Sequence, residues 1–492
     1  MPEAKPARIV VRFPRYASRS WRVRCLASLA AAGHVDVTPV SGPTLPDPVD
    51  LILDLSGETF DPSQLTLPRL GYWTFLHGDE PERIAPGLQE YVAGGRAAYA
   101  RLVRLDGPDR GTVLKEGSVK TVGPSLAATR QRLLEAIVDW PGQLLKEALE
   151  QKKVAKLPTV RLRQRRALSH LLLRIALPAA WVRNILQRAA QKITREHWAV
   201  GMIDAPVHQV CESFDPDKIR WLPAPPNGFL ADPFGVTQAD GTVVVLAEAV
   251  SWQDGRGRIV AFEARPDGTL TPREEIFGFT THASYPQLIE HDGDIYCIPE
   301  TLAQRRVQLF RATAFPYRWV ADSVLLENFA GADATVCRHE GRWWLFVGNH
   351  DDQDEAKLFV FHAADLRGPW LPHAANPVKC DLRSARPAGP LFVLDGALYR
   401  PAQDCSVTYG GAVVINRIDR LTPEEFSEQP FKRLAPAAEG PYPHGLHTLS
   451  GAGNVTLVDG KRHVSPTTFL AAPWNWFGQH LNRKLSRGNP LA

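Results

Sequence analysis

The chain has 492 residues, 44% hydrophobic and 22% charged, with a formal net charge of +4. At ~150 residues per domain that is material for about two to three globular units, and it excludes a disordered or low-complexity chain. No stretch approaches the ~20 apolar residues of a membrane span, and residues 1–13 lack an apolar run of signal-peptide length.

The six cysteines, Cys25, Cys211, Cys297, Cys337, Cys380 and Cys405, form neither a C-x-x-C pair nor a zinc-ligand spacing. They read as free thiols of a reducing compartment. The expectation is a cytoplasmic protein, with a place on the inner face of a membrane left open, and no metal or cofactor.

The first 150 residues read as α/β. Short apolar runs at 9–13, 35–40, 51–55 and 71–76 predict strands, and 21–33 predicts a helix closed by Gly33. After an Asp109-Arg110-Gly111 turn and a strand-like 112–114, a long helix is expected over 125–148. Apolar runs alternating with helices predict a mostly parallel, doubly wound, Rossmann-like sheet.

Residues 151–197 read as a helical linker broken at Pro158 and Pro178. From Lys152 to Arg195 there are twelve Lys or Arg and no Asp or Glu, so the rest of the chain is net acidic. Leu168, Leu171, Leu172, Ile175 and Leu177 supply an apolar face, with Arg161, Arg163, Arg165, Arg166 and Arg174 among them. Such a segment suits an acidic face of its own chain or an anionic lipid surface. No nucleic-acid motif accompanies the charge.

From Trp198 the pattern changes to short strands and turns. Thirteen Trp, 41 Pro and 37 Gly in the chain fit such a turn-rich β region. An internal repeat appears, its copies starting at 233, 286, 334, 387 and 448, a spacing of about 50 to 60 residues that matches a four-stranded blade. Each copy carries an Asp-Gly or Glu-Gly pair suited to a hairpin: 240–241, 292–293, 340–341, 395–396 and 459–460. Residues 198–470 are thus predicted to form an all-β five-bladed propeller, with 471–492 as a tail.

In such a ring the innermost strands bring their entrance residues to one axis. The equivalent positions are Asp232, Tyr285, Asp333, Arg386 and His447. Polar residues ending second strands should lie near the same rim: Glu248, Glu300, Asn349, His350, Gln403 and Asp404. Arg383 and Arg386 suit a phosphate or carboxylate on a substrate.

The five-blade pattern resembles the arabinanase and xylosidase type of glycoside hydrolase propeller. That resemblance implies a base or nucleophile at Asp232, in Ala-Asp-Pro, and an orienting Asp at Asp333. The third carboxylate of the group lies in Glu-Gly-Pro, where this chain reads Ala388-Gly389-Pro390. Plain hydrolysis needs that acid, so Glu300 or Glu248 would have to replace it, and transfer from a sugar nucleotide, whose leaving group needs less acid help, fits better.

The segments Ser284–Thr301 and Ala385–Cys405 are similar to the N-terminal propeller of plant glucosamine inositolphosphorylceramide transferase and its bacterial relatives. This implies a carbohydrate or glycolipid substrate, although the plant protein carries a separate glycosyltransferase domain. The N-terminal domain resembles a formyltransferase. Trp73 and Thr74 stand where that family has its Asn, His77 is displaced, and Asp109 matches the acidic member, so the domain reads as degenerate.

The expected function is glycosyl transfer in polysaccharide or glycolipid synthesis. In this reading Asp232, Asp333 and Glu300 are catalytic, and Tyr285, Arg386, His447, Glu248, Asp404 and Arg383 bind substrate. Sugar N-formyl transfer and non-catalytic glycan binding stand as alternatives.

Overall fold

The computed structural model of the protein describes residues 6–13, 19–40, 48–55, 68–77, 86–107, 110–150, 159–161, 176–186 and 194–464. The N-terminal unit is one seven-stranded sheet. Its strands are β1 (Ala7–Arg12), β2 (Val35–Val40), β3 (Leu51–Asp54), β4 (Tyr72–His77), β5 (Ala97–Leu105), β6 (Arg110–Lys120) and β7 (Thr159–Arg161), in the order β2-β1-β3-β4-β5-β6-β7.

The first four strands pair in parallel, as their apolar runs predict; β3 and β4 are buried along their whole length. From β4 onward every pairing is antiparallel, so the sheet is mixed rather than mostly parallel. The short 106–109 link lets β6 fold back beside β5 but is far too short for a crossover.

The helix predicted over 125–148 is two helices. Pro141, which lacks an N–H, is tolerated only in a first turn, and it starts the second helix. With α1 (Arg19–Ala30) and α2 (Leu88–Ala93) preceding them, these are α3 (Leu126–Ile137) and α4 (Trp140–Leu149). Ser125 caps α3, its hydroxyl accepting the Ala128 N–H at 3.1 Å. Trp21, Leu29, Leu133, Ile137 and Leu145 from α1, α3 and α4 pack with Ile9, Val11, Leu53 and Trp73 in one core.

Only parts of the expected helical linker are described. Thr159–Arg161 is a strand paired with β6, and 176–186 is a helix, α5. Leu168, Leu171, Leu172, Ile175, Arg163, Arg165, Arg166 and Arg174 lie outside the described residues.

Residues 195–464 form five sheets arranged as the predicted five-bladed propeller. Blade 1 begins at Gly228–Thr237, blade 2 at Ser284–His291, blade 3 at Gly331–His339 and blade 4 at Phe392–Leu394. Blade 5 closes the ring. Its strands Leu449–Ala452 and Val455–Val464 come from the end of the region, and Arg195–Ile203 from its start. The pairing runs from Thr456↔Ile203 to Val464↔Arg195, so the ring starts at Arg195 and its last described residue is Val464.

Four of the five predicted hairpin turns are in place. Asp292-Gly293, Glu340-Gly341 and Asp395-Gly396 have positive φ at both residues, and Gly241 has φ 82°. The fifth is corrected. Asp459-Gly460 lies inside the strand Val455–Val464, and the turn of blade 5 falls at Gly453, with φ 63°.

The two units share a tight junction. Leu382 N–H donates to the Ser118 carbonyl at 3.2 Å, and Ser118 Oγ donates to Asp381 at 2.9 Å. At Gly117 a Cβ would sit 1.9 Å from the Cys380 carbonyl oxygen, so only glycine allows this approach. Glu355 of blade 3 pairs with both Arg96 and Lys120 of the N-terminal sheet. All six cysteines are free, and five of them are buried.

Candidate active site

The innermost strands of blades 1, 2 and 3 share one irregularity. Pairing slips between Ala231 and Phe234, between Ser284 and Gln287, and between Ala332 and Thr335. At each slip one residue takes left-handed backbone: Asp232 (φ 50°), Tyr285 (φ 45°) and Asp333 (φ 50°). Non-glycine residues hold such angles at a cost of roughly 1–3 kcal/mol, which the surroundings must offset. The bulge re-aims these residues toward the axis.

A funnel of about 610 Å³ opens there. Trp198, Phe229, Trp252 and Tyr409 are its aromatic wall, and Asp232, Glu248, Glu300, Asp333, Arg386 and His447 are its polar lining. Apolar ring faces beside a few convergent polar groups suit a sugar, which has both kinds of surface.

Asp232 is the centre of the first polar group. Thr448 Oγ1 donates to its Oδ1 at 2.7 Å, and the Tyr285 N–H donates to its Oδ2 at 3.3 Å. His447 Nε2 lies 3.6 Å from Oδ1. Burial, with the nearby Glu248, Asp333 and Asp459 charges, pushes the Asp232 carboxyl up to about 7 against the pull of His447.

His447 is stacked on Trp198, ring centroids 3.8 Å apart, and its Nδ1 lies 2.5 Å from Asp459 Oδ2. Burial alone would lower this imidazole. The Asp459 and Asp232 carboxylates outweigh it and push the group up to about 9, so it is an imidazolium at neutral pH.

The second group surrounds Asp333. Arg386 Nε donates to Asp333 Oδ2 at 2.5 Å and Nη2 to Oδ1 at 3.2 Å, and Gln403 Nε2 donates to Oδ2 at 2.7 Å. Arg386 Nη1 donates to Asp354 at 2.8 Å, and Glu300 Oε2 lies 3.7 Å from Nη2. Burial pushes the Asp333 carboxyl up, to about 7, while Arg386 pulls it down.

The third group is Glu248 with His282, 3.0 Å between Oε1 and Nε2. His282 Nδ1 accepts the Gly257 N–H at 3.0 Å, so the ring proton sits on Nε2 and points at Glu248. A Cβ on Gly257 would meet Glu248 Oε1 at 2.2 Å, so glycine is required for this packing.

These contacts revise several predicted roles. Glu300 reaches the funnel, but its Oε1 accepts from Ser284 Oγ at 3.0 Å and its Oε2 from the Asp333 N–H at 2.8 Å. Glu248 lines the funnel with Oε1 engaged by His282, whereas both oxygens of Glu300 are engaged within the blades, so Glu248 is the freer partner for Asp232. Tyr285 is fully buried, its hydroxyl on Thr335 Oγ1 at 2.9 Å; it positions Asp232 through its backbone and offers a ligand nothing.

Arg383 stands outside the funnel, paired with Asp381 and with Glu116 of the N-terminal sheet. Asp404 is turned away and pairs with Arg433 of its own blade at 2.9 Å. Asn349 caps a turn at Asp351, and His350 is an exposed partner of Asp354. With Arg383 elsewhere and Arg386 held by carboxylates, the deep funnel is acidic and does not suit a phosphate.

Reasoning on the sequence passed over His282, Asp354 and Tyr409, and it assigned Asp459 to a hairpin turn instead of the site. Asp459 left one signal, an acidic residue breaking the apolar run of 455–458. Asp232, His447 and Asp459 also offer ligand atoms within 4.8 Å of one another. Those atoms already satisfy each other as an ion pair, so a cation there would have to displace the shared proton.

In the N-terminal unit, His77 is buried at the end of β4, its Nδ1 has no hydrogen-bond partner, and burial pushes it down to about 4. The Trp73 indole N–H donates to the Leu70 carbonyl and the Thr74 hydroxyl to the Asp54 carbonyl. Asp109 lies outside the described residues.

The chain is similar to known proteins over the propeller. The family described as glucosamine inositolphosphorylceramide transferase 1, N-terminal, matches residues 217–437. Glucosamine inositolphosphorylceramide transferase 1 of Oryza sativa subsp. japonica is 32% identical over 271 residues, 51% of this chain and 36% of that protein. Its counterpart in Arabidopsis thaliana is 32% identical over 259 residues, 50% of this chain and 34% of that protein. The match therefore spans about a third of those relatives' length. Among solved structures, an exo-β-1,3-galactanase from Clostridium thermocellum aligns with a TM-score of 0.35 at 11% identity, over 43% of this chain and 53% of that one.

Proposed function

We propose that the propeller funnel is a catalytic centre for glycosyl transfer in the synthesis of a glycolipid or cell-surface polysaccharide. Asp232 acts on the sugar as base or nucleophile, and Glu248, oriented by His282, handles the proton at the oxygen being joined or released. Asp333 and Arg386 hold the geometry. The family described as glucosamine inositolphosphorylceramide transferase 1, N-terminal, matches over 217–437, which includes Asp232, Glu248, His282, Glu300, Asp333 and Arg386.

One observation carries the reading. Asp232 is a carboxyl pushed up to about 7 inside a funnel with an aromatic wall, where it exchanges a proton near neutral pH. The acidic floor favours the sugar ring there. A phosphate of a sugar-nucleotide donor would face the exposed Arg195 at the mouth.

The test is a panel of nitrophenyl glycosides, with and without a glycan acceptor, on the full chain. The wild type should turn over at least one, and Asp232→Asn should lower the rate by ~10²–10⁴ while the fold is kept. Sugar binding in the funnel without turnover would make the propeller a recognition module. Activity insensitive to Asp232→Asn but lost in His77→Ala would move the chemistry to the N-terminal unit.

A further inference from the structure

Helix α5 (176–186) has two unlike faces. Its inner face holds it to the N-terminal unit: Ala180 and Asn184 are buried, and the Arg183 guanidinium donates to the Val92 carbonyl at 2.7 Å and the Tyr91 carbonyl at 2.9 Å. Its outer face is Trp181, Val182, Ile185 and Leu186, exposed to 50%, 50%, 37% and 63%. These are positions i, i+1, i+4 and i+5, so they form one stripe. Of the ten exposed large hydrophobic residues among the described ones, the other six are scattered over separate elements. A stripe is a surface that binds something.

Charge decides what binds it. The segment 152–195 that contains α5 carries twelve Lys or Arg and no Asp or Glu. The sequence on either side of α5 is thus basic throughout, and a partner that offers both an apolar bed and anionic groups suits it best. A second copy of the same face would bring like charges together. The chain's own N-terminal unit is already met by the opposite face of α5. A nucleic acid offers phosphates but no apolar bed for four such side chains.

We infer that the outer face of α5 docks on an anionic lipid surface, its stripe entering the boundary between headgroups and acyl chains. Tryptophan is the residue best suited to that boundary, and each basic residue near the surface adds attraction to acidic headgroups. The chain would lie on the membrane, since no helix among the described residues is long and apolar enough to cross one.

Co-sedimentation of the full chain with vesicles tests this. Binding is expected to vesicles of phosphatidylcholine containing about a quarter phosphatidylglycerol, to weaken in high salt, and to be lost on pure phosphatidylcholine. The double variant Trp181→Glu/Leu186→Glu changes only exposed positions and should bind about tenfold or more weaker, with an unchanged circular dichroism spectrum and melting temperature. Equal binding of variant and wild type overturns the inference. So does a variant that melts earlier while the wild type ignores vesicles, because the stripe is then packed within the chain. A wild-type dimer in solution that the variant dissolves overturns it as well, in favour of a second copy.

Discussion

Asp459 takes the His447 ring and the His447 backbone together: Oδ2 lies 2.5 Å from Nδ1, and Oδ1 accepts the His447 N–H at 2.9 Å. The same carboxylate accepts the Asp232 N–H at 3.1 Å, across the seam between blades 5 and 1. The relationship recurs around the ring. Asp232 accepts the Tyr285 N–H of blade 2, and Glu300 of blade 2 accepts the Asp333 N–H of blade 3. Three times, a carboxylate of one blade holds the left-handed residue of the next. Charge-assisted bonds of this kind are roughly twice as strong as neutral ones, and here they offset the backbone strain that aims the site at the axis.

The clamp makes stability fall as pH rises. His447 is held at about 9 against an ordinary 6.5, so its contribution is complete below pH 6.5 and lost as pH climbs through about 9. Asp232, at about 7 against 3.8, has the same sign: its contribution is complete below pH 3.8, falls from there on, and the last of it is lost as pH rises through about 7. The His447 part is on the order of 3 kcal/mol. Urea midpoints should drop between pH 6 and 9.5, and Asp459→Asn should flatten the upper part of that drop. A variant as pH-dependent as the wild type would place the titration elsewhere.

Glu248 and Glu300 should separate by kinetics. Glu248→Gln removes a carboxyl from the funnel lining, so turnover should fall ~10²-fold or more with a poor leaving group and little with nitrophenol. It also removes a negative neighbour of Asp232, so the ascending limb of the pH–rate profile, expected near pH 7, should move to lower pH. Glu300→Gln weakens the hold on the Asp333 N–H and should lower the urea midpoint before it alters the response to leaving group. The opposite ranking would return the acid role to Glu300.

The propeller was legible because its signals are local and repeated. The glycine pairs at 292–293, 340–341 and 395–396 need positive φ that few other residues supply, and they mark the blades at once. The axis positions followed from the same alignment, which brought Asp232, Asp333, Arg386 and His447 together correctly. What sequence could not carry was the direction of side chains. Tyr285 sits at an equivalent position yet turns into the core, and Arg383, three residues from Arg386, belongs to the junction with β6. Asp459-Gly460 looked like a fifth hairpin because Asp-Gly is common turn chemistry, whereas ring closure by Arg195–Ile203 extends that strand through it. The mixed sheet was hidden for a similar reason: apolar runs report burial on both faces and say little about strand direction.

Arg386 should behave as a structural cation, with no role in binding anions. Its guanidinium is buried between Asp333, Asp354 and Glu300, and Asp354 adjoins Glu355, which ties blade 3 to Arg96 and Lys120 of the N-terminal sheet. Arg386→Met keeps much of the volume but strands the Asp333 carboxylate, and removal of one partner from a buried pair costs ~3–5 kcal/mol. Arg386→Lys should recover only part of this, because an ammonium cannot make the two-pronged contact with Asp333. The decisive measurement is a double-mutant cycle in urea. Asp333→Asn should cost clearly less in the Arg386→Met background than in the wild type, since the charge that Arg386 neutralised is then gone. Additive losses, or a wild type strongly stabilised by millimolar phosphate while Arg386→Met is not, would instead make Arg386 an anion-binding residue and reopen the funnel floor to a phosphate group.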